Sequence, residues 1–236
     1  MQQHLLRKPR NGQPANSLLA GLPRKAQREL LPGLVAETLV FGDVLYEPGD
    51  VIHDVYFPGP SVVSLLTVVD GHSALEVGLV GHEGMVGIPL ALGVDVSPVR
   101  ALVQGGGGAM RMSAAGFRKA FGASPPLRRA LHQYTHGLMA QITQTAACNR
   151  FHVVEARLAR WLLMTRDRVG AAKFRLTHEF LSDMLGVRRV GVTEAASALQ
   201  RRGLIGYQRG DIRIMDSPGL EAAACACYEL VRQSAA

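Results

Sequence analysis

The sequence predicts an α+β protein in three consecutive parts: a strand-rich first half, one long helix, and a mainly helical second half that closes in a hairpin. Three observations carry this. From Leu39 to Met112 short apolar runs alternate with turn segments, from Leu127 to Val169 no proline occurs, and the net charge changes sign twice along the chain.

The 236 residues are 47% apolar and 19% charged, which suffices for a packed core and excludes disorder throughout. The apolar runs fall short of the roughly 20 residues of a membrane helix. The start, MQQHLLRKPRNGQPANS, has no apolar core of the kind a secretory signal carries. With three cysteines, Cys148, Cys225 and Cys227, and no paired CxxC, a reduced cytoplasmic protein without a membrane partner is expected. The net charge of +7 divides unevenly. Residues 1–28 hold six Lys/Arg and no acid, residues 29–121 are acidic by six, and residues 149–236 are basic by five. The basic ends favour polyanions and the acidic middle does not.

Residues 1–20 are expected to be a flexible basic tail. In residues 21–123 the runs VLY, VIHDVYF, SVVSLLTVV, ALEVGLV, VRALVQ and AMRM are separated by EPGD, PGP, DGH, VGHEG and GGGG. That grammar predicts a small jelly-roll-like β-roll. Asp70-Gly71 reads as a tight hairpin turn. The run Gly105–Gly108 reads as a further turn or lip, too glycine-rich for a strand interior.

Residues 124–148 read as one helix opened by Ser124-Pro125-Pro126. Leu127, Leu131, Tyr134, Leu138, Gln141 and Thr145 step by four and three, with Ile142 beside them, as in a coiled-coil seam. A helix buried against its own domain shows the same stripe. The seam is taken as the dimer contact of a homodimer.

Residues 149–236 carry the most specific signal. In HEFLSDMLGVRRVGVTEAAS, His178 to Ser197, Leu181, Leu185, Val187, Val192 and Ala195 fit the clasp of a helix-turn-helix, Ser182 its crossing and Gly186 its turn. Thr177 is placed to cap the first helix. The second helix then exposes Arg188, Arg189, Val190, Thr193 and Glu194 near its N-terminus, the end that enters the major groove of double-stranded DNA in this motif. GLIGYQRGDIRIMD reads as a two-stranded wing turning at Arg209-Gly210, with Arg201, Arg202 and Arg209 placed for phosphates. A three-helix core with a solvated arginine face is the plainer alternative.

Other sites are weaker. His72, Glu76, His82 and Glu83 lie on strand-rich segments, but the clustered histidine pair of a jelly-roll metal enzyme is missing, so no metal is expected there. Cys225 and Cys227, two apart in an expected helix, should diverge. Cys148 is the better redox candidate, though a buried apolar thiol is the simpler state. No catalytic residue stands out and no enzyme is expected.

Taken together, EPGD (Glu47 to Asp50), VGHEGMVG (Val80 to Gly87) and LGVRRVGVTEAASALQRRGLI (Leu185 to Ile205), in this order of parts, resemble the CRP/FNR family of bacterial transcription regulators. The resemblance spans about Gly21 to Ile214. It implies a cyclic-nucleotide-binding-like sensor roll, dimerisation along the long helix, a winged helix-turn-helix on a two-fold DNA site, and RNA polymerase as a further partner. Members that bind cyclic AMP offer a Gly-Glu pair to the ribose and an Arg-Ser pair to the phosphate. Here Gly87 is followed by Ile88, and the later segment reads Ser97-Pro98-Val99-Arg100, so the usual mode of binding cyclic AMP is not expected and Arg100 is at most a displaced phosphate ligand. No cysteine precedes Cys148, which removes the iron–sulfur pattern of the oxygen-sensing branch. Haem through His53, His72 or His82 has no support, so no cofactor is assigned and the effector is unknown. The three base-reading places hold Arg189, Val190 and Glu194 where cyclic-AMP-type members carry Arg, Glu and Arg. The implied operator therefore differs. A binder that needs no ligand, with the roll as scaffold, and a jelly-roll metal protein are the alternatives.

Overall fold

The computed structural model describes residues 15–68, 74–208 and 210–234. Asp70-Gly71, His72 and Arg209 lie outside the described residues, as do residues 1–14. The described residues open with α1 (Ser17–Ala20) and α2 (Arg24–Leu30). Among the described residues seven strands follow: β1 (Val35–Leu39), β2 (Val44–Tyr46), β3 (Asp54–Pro58), β4 (Val62–Thr67), β5 (Leu75–Val80), β6 (Arg100–Gly105) and β7 (Gly107–Ser113). They form two antiparallel sheets, β1-β7-β3 and β2-β6-β4-β5, that enclose Val55, Phe57, Val63, Val80, Met85, Val103 and Met112.

The segment before β1 corrects the expected tail, because residues 15–20 are anchored. Asn16 is buried. Its side-chain Oδ1 accepts from the Leu19 amide at 3.0 Å, capping α1, and its Nδ2 donates to the carbonyls of Pro58 and Gly84, each at 2.9 Å. Leu19 and Leu22 then enter the core of the roll.

The tetraglycine is also corrected. Gly105 ends β6, while Gly107 and Gly108 open β7 and pair with Leu39 and Thr38. Glycine is required there for close approach: a Cβ on Gly107 would lie 2.3 Å from the Pro60 carbonyl oxygen. The run is where the chain passes from one sheet to the other.

Strand β4 is buried at its first five positions, and the reason lies beyond the roll. Val63 and Leu65 face the roll core, whereas Val62 and Leu66, with Leu79 of β5, join a second core made by the C-terminal half. A strand covered on both faces loses the polar alternation of a half-exposed one.

After α3 (Ala114–Ala123) the long helix α4 runs Pro125–Phe151, about 40 Å at 1.5 Å per residue. Ser124 caps it, its Oγ accepting from the Leu127 amide at 3.4 Å. The head comprises α5 (Val154–Val169), β8 (Lys173–Arg175), α6 (His178–Leu185), α7 (Arg189–Arg201), β9 (Ile205–Gln208), β10 (Asp211–Ile214), α8 (Ser217–Ala223) and α9 (Cys227–Ser234).

The stripe expected to be the dimer seam faces inward. Leu127, Leu131, Leu138, Gln141 and Thr145 are buried within the chain, with Tyr134 and Ile142 packed against the roll core. Gln141 lies along β5, where its Oε1 accepts from the Leu79 amide at 2.6 Å and its Nε2 donates to the Leu79 carbonyl at 3.2 Å. Tyr134 lies over Gly84, whose Cβ would fall 2.2 Å from its ring. Periodicity reports that a face is buried and leaves the covering surface unspecified; here the roll covers it. The exposed face of α4 carries Arg129, His132, His136, Met139, Thr143, Ala146 and Arg150, again in steps of three and four.

Candidate nucleic-acid interface and the sensor face

The helix-turn-helix follows from local chemistry. Thr177 has extended backbone, and its Oγ1 accepts from the Phe180 amide at 3.1 Å, so α6 begins at His178. Gly186 ends α6 at φ 59°, a conformation that glycine adopts without strain. Leu181, Leu185, Val192 and Ala195 are buried in the clasp, and Val187 packs at its edge. This fixes α7 so that Arg188, Arg189, Val190, Thr193 and Glu194 all stand exposed. Arg188 occupies the cap position with no side-chain bond to the first-turn amides. Those amides and the arginines give the tip of α7 the character of an anion-seeking end.

Two residues at this interface escaped the sequence reading. The His178 ring stacks on Tyr207 of β9 with centroids 4.4 Å apart, and its Nδ1 lies 3.0 Å from Thr193 Oγ1. With the Thr193 hydroxyl donating to the Arg189 carbonyl at 3.0 Å, the bond to Thr193 is made by a proton on His178 Nδ1. Burial lowers its pKa, with the charge of Arg189 acting in the same direction. Helix α6, helix α7 and the wing are thus tied through one imidazole. A histidine directly after a capping threonine was the available signal.

The wing has three strands. β8 pairs with β10 in the order β8-β10-β9, adding exposed Arg175 and Lys173, the latter 3.0 Å from Asp211. KFR was too short to read as a strand. Of the expected phosphate ligands, Arg201 is exposed, while Arg202 donates to Glu155 Oε1 at 2.6 Å and is partly engaged within the chain.

The roll shows how its odd residues are used. Arg100 Nε donates to both carboxylate oxygens of Glu47 at 3.0 and 2.9 Å. The Ser97 hydroxyl donates to the Val99 carbonyl at 2.7 Å. Gly87 adopts φ 97° at the start of the short 3-10 turn Ile88–Leu92, and Val55 and Tyr46 close over it. A nearby open cavity of about 420 Å³ is lined by Leu45, Tyr46, Asp50, Val51, His53, Asp54 and Tyr56. Two carboxylates and no Lys or Arg in that lining disfavour an anionic phosphate.

Glu76 and Glu83, read above as weak metal candidates, join roll to head instead. Glu83 accepts from Arg168 Nε at 2.8 Å, both nearly buried, and His82 lies beside Ser17. Glu76 Oε1 accepts from Trp161 Nε1 at 2.9 Å, and Ser64 Oγ lies 2.7 Å from Glu76 Oε2 and 2.6 Å from Gln104 Oε1. A hydroxyl has one proton. Ser64 can therefore donate to only one of the two, and a Glu76 that carries a proton can donate to Ser64 and free the hydroxyl proton for Gln104, whose Nε2 donates to Thr165 at 2.9 Å. Burial pushes Glu76 up to about 7; what holds it down is the bond that Ser64 donates to the ionised form, then the charge of Arg160, the bond from Trp161 and the charge of Arg168.

The cysteines depart most from expectation. α8 ends before Cys225 and α9 begins at Cys227, so the two do not share a helix and do not diverge. Cys148 and Cys225 are 3.5 Å apart, and Cys227 Sγ is 3.4 Å from His152 Nδ1. All three thiols are buried, as expected of packing residues, and only the expected divergence of Cys225 from Cys227 is corrected.

Comparison with known proteins agrees with this geometry. Residues 156–223 match the Crp-like helix-turn-helix domain. Among curated protein sequences none matches significantly. The solved structures that share the fold include CLP, described as a c-di-GMP responsive global regulator, from Xanthomonas campestris. It has 18% identity and a TM-score of 0.67, with 82% of this chain and 100% of that chain covered. A CRP/FNR-family transcriptional regulator from Thermus thermophilus has 22% identity and a TM-score of 0.65, with 80% and 98% covered. FixK2 from Bradyrhizobium japonicum has 15% identity and a TM-score of 0.64, with 82% and 98% covered. Among the described residues no helix is long and apolar enough to cross a membrane.

Proposed function

From a chain with the CRP/FNR fold and a Crp-like helix-turn-helix domain, we propose a cytoplasmic homodimer that binds a pseudo-palindromic operator and regulates transcription, with RNA polymerase as a further partner. The observation that carries it is the tip of α7, where Arg188, Arg189, Val190, Thr193 and Glu194 stand exposed on a helix fixed by a buried clasp. Arg189 makes a bidentate contact to guanine, Val190 touches a thymine methyl, and Glu194 accepts from cytosine or orients the arginines. Arg201 and Arg188 meet phosphates, and Arg209 is proposed for the same role from its place in the wing turn.

The dimer seam is the exposed face of α4. Met139 is 64% exposed, and Thr143 and Ala146 offer small side chains beside it. Phe151 and Val153, also exposed, extend the apolar surface beyond the helix end. The effector of the roll differs from cyclic AMP held in the usual way, because the Arg100 guanidinium is already paired with Glu47. Gly87, Ile88 and Ser97 remain the roll positions nearest to the family's ligand segment.

Selection of random duplex DNA on the purified chain tests the reading, with and without a metabolite extract. A two-fold motif enriched in both conditions supports a ligand-independent regulator, and a motif enriched only with extract supports a sensor. Absence of any motif in both contradicts the proposal.

A further inference from the structure

We propose that Cys148, His152, Cys225 and Cys227 form a binding site for a thiophilic divalent cation of the zinc type. The four ligand atoms all lie within 4.8 Å of one another. Around an ion with Zn–S near 2.3 Å and Zn–N near 2.0–2.1 Å, the edges of a tetrahedron are about 3.5–3.8 Å. Two pairs already come close to that spacing, 3.5 Å for Cys148–Cys225 and 3.4 Å for Cys227–His152.

The chain assembles this set from two places. Cys148 and His152 sit one helical turn apart at the end of α4, and His152 is its cap residue, so both project to one side. Cys225 and Cys227 fall at the break between α8 and α9, where the backbone turns and the Tyr228 amide donates to the Cys225 carbonyl at 3.0 Å. All three thiols are buried and His152 is exposed, which leaves an entry path on the imidazole side. A second, independent observation concerns charge. Arg157 and Arg160 are buried beside the cluster, and the Nε of each lacks a hydrogen-bond partner. Three thiolates and a neutral imidazole on a divalent cation leave one net negative charge, which offsets half of the charge of the two buried guanidiniums. Gln144 Nε2, 2.9 Å from Cys227 Sγ, supplies the outer donor that thiolate ligands commonly have. Binding releases the thiol protons to solvent, so affinity falls with acid. A bound ion would join the end of the long helix to the last two helices of the head.

The test uses the full chain, reduced and stripped with chelator, then titrated anaerobically with Co2+. The expected result is about one ion per chain with the visible bands of tetrahedral cobalt and a sulfur-to-cobalt transition. Zn2+ should bleach both and raise the melting temperature. Cys225→Ser and Cys227→Ser should abolish the bands. The exposed His152→Ala, which leaves the core intact, should weaken binding at least tenfold and change the band shape. X-ray absorption on the zinc-loaded parent chain covers the case of unfolded cysteine variants, with a sulfur-dominated four-atom shell expected. The site is ruled out if the reduced chain binds no cobalt, if the bands survive in both cysteine variants, if the shell lacks sulfur, or if oxidation gives a Cys148–Cys225 disulfide in a chain that takes up no metal when reduced.

Discussion

At the scale of single residues, exposure and hydrogen bonding separate the proposed readers of DNA from holders of the fold. Arg189 is exposed and unpaired by any carboxylate among the described residues, so Arg189→Ala should cost about 1–3 kcal/mol of specific affinity and relax one base position. An equal loss on specific and random duplexes would contradict its role. Arg201→Ala should weaken all sequences alike and lower the salt slope by about one. Glu76 gives a prediction of another kind. Its pKa in the folded chain, about 7, exceeds the ordinary 4.5, so the native state binds more protons than the unfolded state between those values. Stability therefore falls as pH rises through that window, by on the order of 3 kcal/mol. Glu76→Gln keeps the bonding of the protonated form and should flatten the profile and raise stability at pH 8. Denaturation curves across pH check this, and parallel profiles would refute it. The exposed arginines at the start of α7 and the Thr177 cap were legible in sequence because they depend on local spacing. The His178–Tyr207 stack and the Glu76 network were not, since each joins segments far apart in the chain.

At the scale of elements, α4 teaches the most. Its stripe at Leu127, Leu131, Tyr134, Leu138, Gln141 and Thr145 was readable as a buried face, but a monomer core and a dimer seam share that period. The deciding information lay in β5, where Leu79 offers its backbone to Gln141, and in Gly84, which makes room for Tyr134. Two substitutions distinguish the faces. Leu131→Ala should destabilise the chain by about 2–5 kcal/mol through a cavity in the roll core, with no change in the mass of the assembly at saturating concentration. Met139→Glu, on the exposed face, should leave the melting temperature of the monomer within about a degree and abolish association, since a charge facing its own symmetry mate is repelled. Light scattering with thermal melts reads both, and a dimer that survives Met139→Glu would move the seam elsewhere. The wing shows the opposite failure. Its hairpin was legible from Gly210 and alternating residues, whereas β8 is three residues long and gains its strand character only by pairing with β10.

At the scale of the whole molecule, the second core explains why roll and head are one body. Val62, Leu66 and Leu79 of the roll pack with Leu158, Trp161 and Leu162 of α5, and Glu83 pairs with Arg168 across the same contact. Any signal in the roll has a direct route to the head through this face, besides the route along α4. Breaking it should alter DNA affinity from a distance. Arg168→Ala leaves Glu83 buried without its partner and should cost about 3–5 kcal/mol of stability, measurable by denaturation. The order of parts and the charge reversals exposed the architecture in the sequence. The docking of head on roll was hidden, because apolar strand residues do not state which of two cores they join.

The most direct measurement is selection of random duplex DNA on the parent chain and on Arg189→Ala at about 0.15 M salt, a concentration that leaves interactions a Debye length of about 8 Å. The account predicts a two-fold motif whose half-sites lie one helical turn apart, about 34–36 Å, with one base position losing preference in the variant. A parent chain that enriches no motif even with cell extract added, or a motif identical in parent and variant, would contradict it.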